Sequence, residues 1–324
     1  MSRPELPAGP AQLRGPLALV AHDAGGAEIL SSLVACGALP AGTELRLVLQ
    51  GPARAVFERK LGAVQCLPLA QALHGASMLL AGTGWQSSLE FDALCLAREQ
   101  RLPAIAFLDH WVNYRQRFVR HGVSCLPDAL WVGDDEALAL ARTVLPERPA
   151  FLVPNPYFAA MREGFAALAQ REQPRAGLRV LYVCEPVREP ALRTHGNERH
   201  WGYTEEEALA FALACLPTIG AIDSLVVRPH PSEPPAKYDA QLARCAWPVT
   251  RGGAASLLQE VAASDVVIGL HSMAMVIGLL AGKRVLCAIP PGGGACVLPQ
   301  RQIGMLRELD ALPPPVTAES TANC

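Results

Sequence analysis

Five short polar stretches and one lone acid, Glu185, hold the residue types that could carry chemistry. His22-Asp23-Ala24-Gly25-Gly26 offers an acid followed by two glycines, where backbone N–H groups can approach a ligand closely. Asp23 is a candidate general base, or else a helix cap whose glycines only make the turn. Gly82-Thr83-Gly84-Trp85-Gln86-Ser87 and Leu108-Asp109-His110-Trp111-Val112-Asn113-Tyr114-Arg115 are dense in hydrogen-bonding and aromatic side chains, as a sugar or acceptor pocket would be. Gly25, Gly26, Thr83, Trp85, His110, Asn113 and Arg115 are the acceptor-side candidates. Asp109 is a second acid–base candidate, and equally the carboxylate of a structural Asp–His or Asp–Arg pair. In the second half, Arg228-Pro229-His230-Pro231 places a cation and an imidazole in a turn stiffened by two prolines, which can hold a phosphate. Gly269-Leu270-His271-Ser272 leads into an apolar helix whose first N–H groups, with the Ser272 hydroxyl, form a second anion site. Glu185 ends a strand and can accept ribose hydroxyls, or a salt bridge.

What must position these loops is a series of short apolar strands alternating with helical-period segments, the pattern of parallel α/β sheets. The pattern predicts strands at 17–21, 45–49, 77–81, 104–108, 129–132, 178–183, 224–228, 266–269 and 284–288. Helices are expected at 27–36, 54–61, 87–101, 135–144, from 205 onward, at 254–263 and at 273–281. Ser87 with Glu90, and Thr204 with Glu207, have capping-box spacing. The expected fold is two Rossmann-like doubly wound domains facing a cleft. Residues 1–15 read as a flexible leader, 16–155 as an acceptor-side domain and 156–177 as a linker. Residues 178–312 read as a nucleotide-sugar domain and 313–324 as a disordered tail.

Composition prunes the function classes. A chain of 324 residues that is 51% hydrophobic and 18% charged can build real cores, so it is no disordered protein. A net charge of −2 predicts no nucleic-acid surface. Ten cysteines without a CxxC pair give no metal-ligand spacing, and are expected as mostly buried thiols in a reducing cytoplasm. The N-terminus lacks the apolar length of a signal peptide, and the longest apolar stretch, 266–287, is interrupted by His271, Ser272, Lys283 and Arg284. P-loop, HExxH, GxSxG and DxD signatures are absent, so neither a metal nor a resident cofactor is expected.

The RPHP turn followed by the strand, Gly-Leu-His-Ser, helix and Ala-Gly-Lys-Arg-Val resembles bacterial GT-B glycosyltransferases of the sialyltransferase and polysialyltransferase-like kind, with their HP and serine motifs. That resemblance implies a metal-independent transfer of a sugar from a CMP-activated nonulosonic acid to a surface glycan or glycoprotein. It leaves room for peripheral membrane association and says nothing of oligomeric state. It assigns His230 and Ser272 to the donor phosphate and places the base in the N-terminal half. There Asp23 is the nearest match but lacks the family's paired acids, and Asp109 stands in reserve. HP plus serine also occurs in CDP-glycerol glycerophosphotransferases. A UDP-sugar hydrolysing 2-epimerase and a non-catalytic nucleotide-sugar-binding protein are the other readings.

Overall fold

The computed structural model describes residues 6–84, 87–168, 176–234 and 236–311. Trp85 and the 312–324 tail therefore lie outside the described residues. The chain divides into two compact units, 1–161 and 162–324, and the division falls inside a helix.

In the first unit the strands are β1 (Leu17–Ala21), β2 (Leu45–Leu49), β3 (Met78–Ala81), β4 (Ala104–Leu108), β5 (Val119–Arg120), β6 (Val123–Ser124), β7 (Ala129–Val132) and β8 (Ala150–Leu152). The helices are α1 (Ala24–Ala35), α2 (Pro52–Leu61), α3 (Leu69–Leu73), α4 (Leu89–Glu99), α5 (Asp135–Val144) and α6 (Pro156–Leu168), which runs across the division. Six strands form a parallel sheet in the order β2-β1-β3-β4-β7-β8, and β5 with β6 makes a small antiparallel hairpin. Strands β1, β3, β4 and β7 are buried at every position, which is why they read as unbroken apolar runs. Leu17, Leu19, Leu30, Phe57, Phe107 and Trp131 form the heart of this core. Residues 6–13 belong to the unit rather than to a flexible leader: Leu13 is buried, and the Trp131 indole donates to the Pro7 carbonyl at 3.0 Å.

The second unit repeats the plan with β9 (Leu178–Val183), β10 (Ile222–Arg228), β11 (Val249–Arg251), β12 (Val266–Gly269), β13 (Arg284–Cys287) and β14 (Gly304–Met305). Its helices are α7 (Arg188–His195), α8 (Glu205–Ile219), α9 (Asp239–Leu242), α10 (Leu257–Ala263) and α11 (Met273–Leu280). All six strands are parallel, in the order β11-β10-β9-β12-β13-β14. Arg179 at the start of β9 is clamped by Asp265, which accepts both its backbone N–H and its guanidinium, tying β9 to the entry of β12. The Thr204–Glu207 capping box forms as its spacing predicts.

Three local expectations are corrected. α1 starts directly after Asp23, so Gly25 and Gly26 lie in its first turn rather than in a loop before it. The Ser87–Glu90 capping box does not form: α4 begins at Leu89, Ser87 Oγ accepts from Leu89 N, and Glu90 turns away to another partner. Of the nine described cysteines, all free thiols, only Cys125, Cys184 and Cys287 are buried.

Candidate functional site

Each sheet begins with an interior strand. The chain leaves β1 to form β2 on one side and returns to form β3 on the other, so the strand order reverses between β1 and β3. β9 is flanked in the same way by β10 and β12. Loops at such reversals splay apart beyond the carboxyl ends of the strands and leave room for a ligand. In the first unit the loops are His22-Asp23 and Gly82–Gly84, and in the second they are Glu185 and Leu270–Ser272.

Asp23 precedes α1 but makes no capping bond. Its Oδ1 instead lies 2.7 Å from His22 Nδ1, the contact by which a carboxylate fixes an imidazole tautomer. Glycines let the surrounding backbone approach this pair. A Cβ at Gly51 would fall 2.6 Å from His22 Nε2, and Gly51 has φ +51° as well. A Cβ at Gly84 would fall 2.7 Å from Glu90 Oε1 and 2.9 Å from Asp23 Oδ2, so two carboxyl groups converge on this glycine.

Glu90 is the acid that sequence reasoning missed. It is 3% exposed; Oε1 accepts the His22 backbone N–H at 2.7 Å, and Oε2 has no partner among the described residues. Burial raises its pKa, the His22 N–H opposes the rise, and the Asp23 charge adds to it. A second carboxyl group is thus brought beside Asp23 from α4, 67 residues further on in the chain. The only local signal was a Glu at a spacing that also reads as a cap.

Asp109 takes the structural alternative. Arg117, 7% exposed, donates from Nη1 to Asp109 Oδ1 at 2.7 Å, to the Thr83 carbonyl at 2.7 Å and to the Thr83 hydroxyl at 3.0 Å. Thr83 in turn donates to Asp109 at 3.1 Å, and Arg117 Nε reaches the Val112 carbonyl. A Cβ on Gly25 would collide with Asp109 Oδ2, so Asp109 packs under the first turn of α1. Gly25, Gly26, Thr83 and Asp109 are therefore brought together with Asp23. His110 accepts the Trp111 backbone N–H on Nδ1 at 2.9 Å and lines a cavity of about 10 Å³ with Asp109, Trp111, Asp134 and Asn155, room for a single water. Asn113 (φ +59°) serves the turn, its carbonyl accepting from Arg117 N. Arg115 is drawn away from the cluster: its exposed guanidinium binds Glu147 and the Val144 carbonyl at the end of α5.

In the second unit the RPHP turn is held from beneath. Glu233 accepts the His230 backbone N–H at 2.9 Å, the Tyr238 hydroxyl at 2.7 Å and the Lys237 ammonium at 2.9 Å. Lys237 also pairs with buried Glu205, which accepts the Arg188 N–H at 2.7 Å at the start of α7. His230 Nδ1 accepts the Ser232 backbone N–H at 3.2 Å and lies 2.7 Å from the Ser232 hydroxyl, so the neutral ring carries its proton on Nε2. Burial lowers the pKa of His230, which favours this neutral form. Arg228, expected on a phosphate, is engaged with Glu260 at 2.7 Å and the Ala255 carbonyl at 3.0 Å, so its charge is already matched inside the unit.

Across the neighbouring strand ends, Glu185 accepts the His271 backbone N–H at 2.8 Å, and burial raises its pKa. Ser272 caps α11 by accepting from Ala274 N, and its own hydroxyl hydrogen remains available to donate. His271 Nε2 lies 3.4 Å from the Tyr203 hydroxyl. Among the described residues, no group of three or more His, Cys, Asp or Glu side chains is arranged to hold a metal ion, and no helix is long and apolar enough to cross a membrane.

No protein-family model and no curated protein sequence matches the chain. Solved structures do share its fold. It is 8% identical to the UDP-GlcNAc 2-epimerase from Methanocaldococcus jannaschii over 84% of this chain and 83% of that one, with a TM-score of 0.52. It is 12% identical to Staphylococcus aureus MnaA in complex with UDP over 84% and 78%, with a TM-score of 0.56. The Escherichia coli heptosyltransferase WaaC is a looser match, 12% identical over 89% and 92%, at a TM-score of 0.43. At such identities the likeness is one of fold: two parallel-sheet α/β units of the GT-B kind.

Proposed function

We propose that the chain is a glycosyltransferase that uses a nucleotide-activated sugar, with the nucleotide phosphate held by the second unit. The observation that carries this reading is the pair of donor groups that follow β10 and β12, the strands on either side of β9. The Nε2–H of His230 and the Ser272-capped N-terminus of α11 both suit phosphate oxygens. In the first unit Asp23 takes the proton of an acceptor hydroxyl. Glu90, whose pKa burial and the Asp23 charge raise, places a second carboxyl group beside it. In the second unit His230 and the α11 N–H groups stabilise the departing phosphate. The HP and serine motifs favour a CMP-activated nonulosonic acid as donor and a surface glycan or glycoprotein as acceptor.

Thermal stabilisation by CMP, CDP, UDP and GDP, measured on the protein and on His230→Ala, tests the reading, because binding to the native state raises Tm. The expected result is a CMP-selective rise that His230→Ala abolishes, with turnover down by about 10²-fold or more. No rise with any nucleotide overturns it. A second reading, a UDP-sugar 2-epimerase, is favoured by the fold shared with the Methanocaldococcus jannaschii enzyme. UDP-selective binding, with free sugar and UDP released in the absence of acceptor, would decide for it.

A further inference from the structure

Two cysteines of the second unit meet beside His271, and neither has a part in the proposed reaction. Cys287 ends β13 with 0% exposure, and Cys296 lies on the Pro-Gly-rich segment that follows. That segment folds back on itself, with Gly293 N bonded to the Pro290 carbonyl and Arg307 holding the Gly293 carbonyl at 2.9 Å. Both sulfurs are thereby gathered on one atom, the Leu270 carbonyl, at 3.2 Å for Cys287 and 3.5 Å for Cys296. The two thiols also interact directly, and the His271 ring contacts Cys296. Cys296 is partly exposed whereas Cys287 is closed off, so a small reagent meets Cys296 first.

We propose that Cys296 and Cys287 form a redox couple, in which Cys296 is the site of attack on a hydroperoxide and Cys287 the thiol that resolves it to a disulfide. In the first step the Cys296 thiolate attacks one peroxide oxygen. The S–O bond forms as the O–O bond breaks, and the leaving oxygen takes a proton to depart as water or an alcohol. In the second step the Cys287 sulfur attacks the Cys296 sulfenic acid. The S–S bond forms as S–O breaks, and water leaves with the Cys287 proton. Two thiols are oxidised, one peroxide is reduced, and an added thiol reverses the change.

The surroundings favour this division of labour. The Cys287 thiol and the His271 ring stabilise a Cys296 thiolate and hold its pKa well below the ordinary thiol range, while the same contact and burial push Cys287 up. The other titratable groups that face the pair are Tyr182, Glu185, Tyr203 and Arg307. The first unit has a contacting pair without a histidine, Cys95 and Cys125. There burial pushes Cys125 up to about 12, so this pair is expected to stay inert. A disulfide replaces the contact between Cys296 and His271, so the oxidation state is felt by the loop that carries the α11 cap.

The test is to titrate the reduced full chain with hydrogen peroxide, quench with iodoacetamide and map the peptides by mass spectrometry. The expected product is a Cys287–Cys296 cross-link, about 2 Da lighter than the reduced protein and restored by dithiothreitol. It should be absent in Cys296→Ser and should form before Cys36 or Cys125 is touched. In Cys287→Ser, oxidation should halt at a sulfenic acid on Cys296 that dimedone traps. Should that variant fail to fold, iodoacetamide labelling of the reduced wild-type chain at pH 6 serves instead, with Cys296 expected to react at least about tenfold faster than exposed Cys36. The proposal is overturned if Cys296 and Cys287 both remain alkylatable at doses that oxidise Cys36. Labelling of Cys296 at pH 6 no faster than Cys36 would also overturn it.

Discussion

At the residue scale, the convergence of two carboxyl groups on one glycine makes Gly84 unusually sensitive. An alanine there puts a methyl 2.7 Å from Glu90 Oε1 and 2.8 Å from Asp23 Cγ, and Glu90 is already pinned by the His22 N–H. Gly84→Ala is expected to cost about 1–3 kcal/mol, read as a lower urea midpoint, and to remove most turnover by displacing Asp23. Glu90 gives a pH signature as well. A carboxyl whose folded pKa is raised above its unfolded value binds more protons folded than unfolded between the two. Stability therefore falls as pH rises through that window, from the ordinary Glu value of 4.5 upward. Gln can still accept from His22 N without carrying a buried charge. Glu90→Gln should therefore gain stability relative to the parent as pH rises above 4.5, while losing activity. Parallel urea titrations across that range check this, and a constant difference would mean that Glu90 does not titrate there.

At the element scale, Arg117 joins the ends of β3 and β4 to the turn that follows through Thr83, Asp109 and Val112. Arg117→Met leaves Asp109 as an uncompensated, nearly buried charge, and a loss of about 3–5 kcal/mol is expected by chemical denaturation. Combining it with Asp109→Asn should cost less than the sum of the two single changes, because the partners are in contact. This is also the scale at which the sequence was most and least legible. β1, β2, β4, β7, β9 and β12 could be bounded to the residue: β1, β4, β7 and β12 are buried at every position and read as unbroken apolar runs, while β2 and β9 are apolar but for one arginine each. β8 and β11 escaped notice, since these three-residue edge strands are half exposed and carry no such run. The site divides along the same line. Asp23, His230, His271 and Ser272 are legible because they follow strands directly. Glu90 and Arg117 are not, because their roles depend on which helix or turn tertiary packing lays against β1 and β3. The charge on Arg228 was legible, but the Glu260 that matches it was not.

At the scale of the whole molecule, two units built on one plan each place the first strand inside the sheet and open a reversal beside it. The plan is shared, yet the chemistry at the two reversals differs. Carboxyl groups converge in the first unit, while hydrogen-bond donors and a pair of thiols gather in the second. The segment that docks on the first unit also supplies an optical handle. The Trp131 indole, 0% exposed and set edge-on to Phe107, has its N–H committed to the Pro7 carbonyl. The difference between the emission spectra of the parent and Trp131→Phe isolates that ring, and it should be blue-shifted while residues 6–13 are seated. Removing the chain through Leu13 should shift it to the red, so that the attachment of one short segment can be followed by its colour in the intact protein.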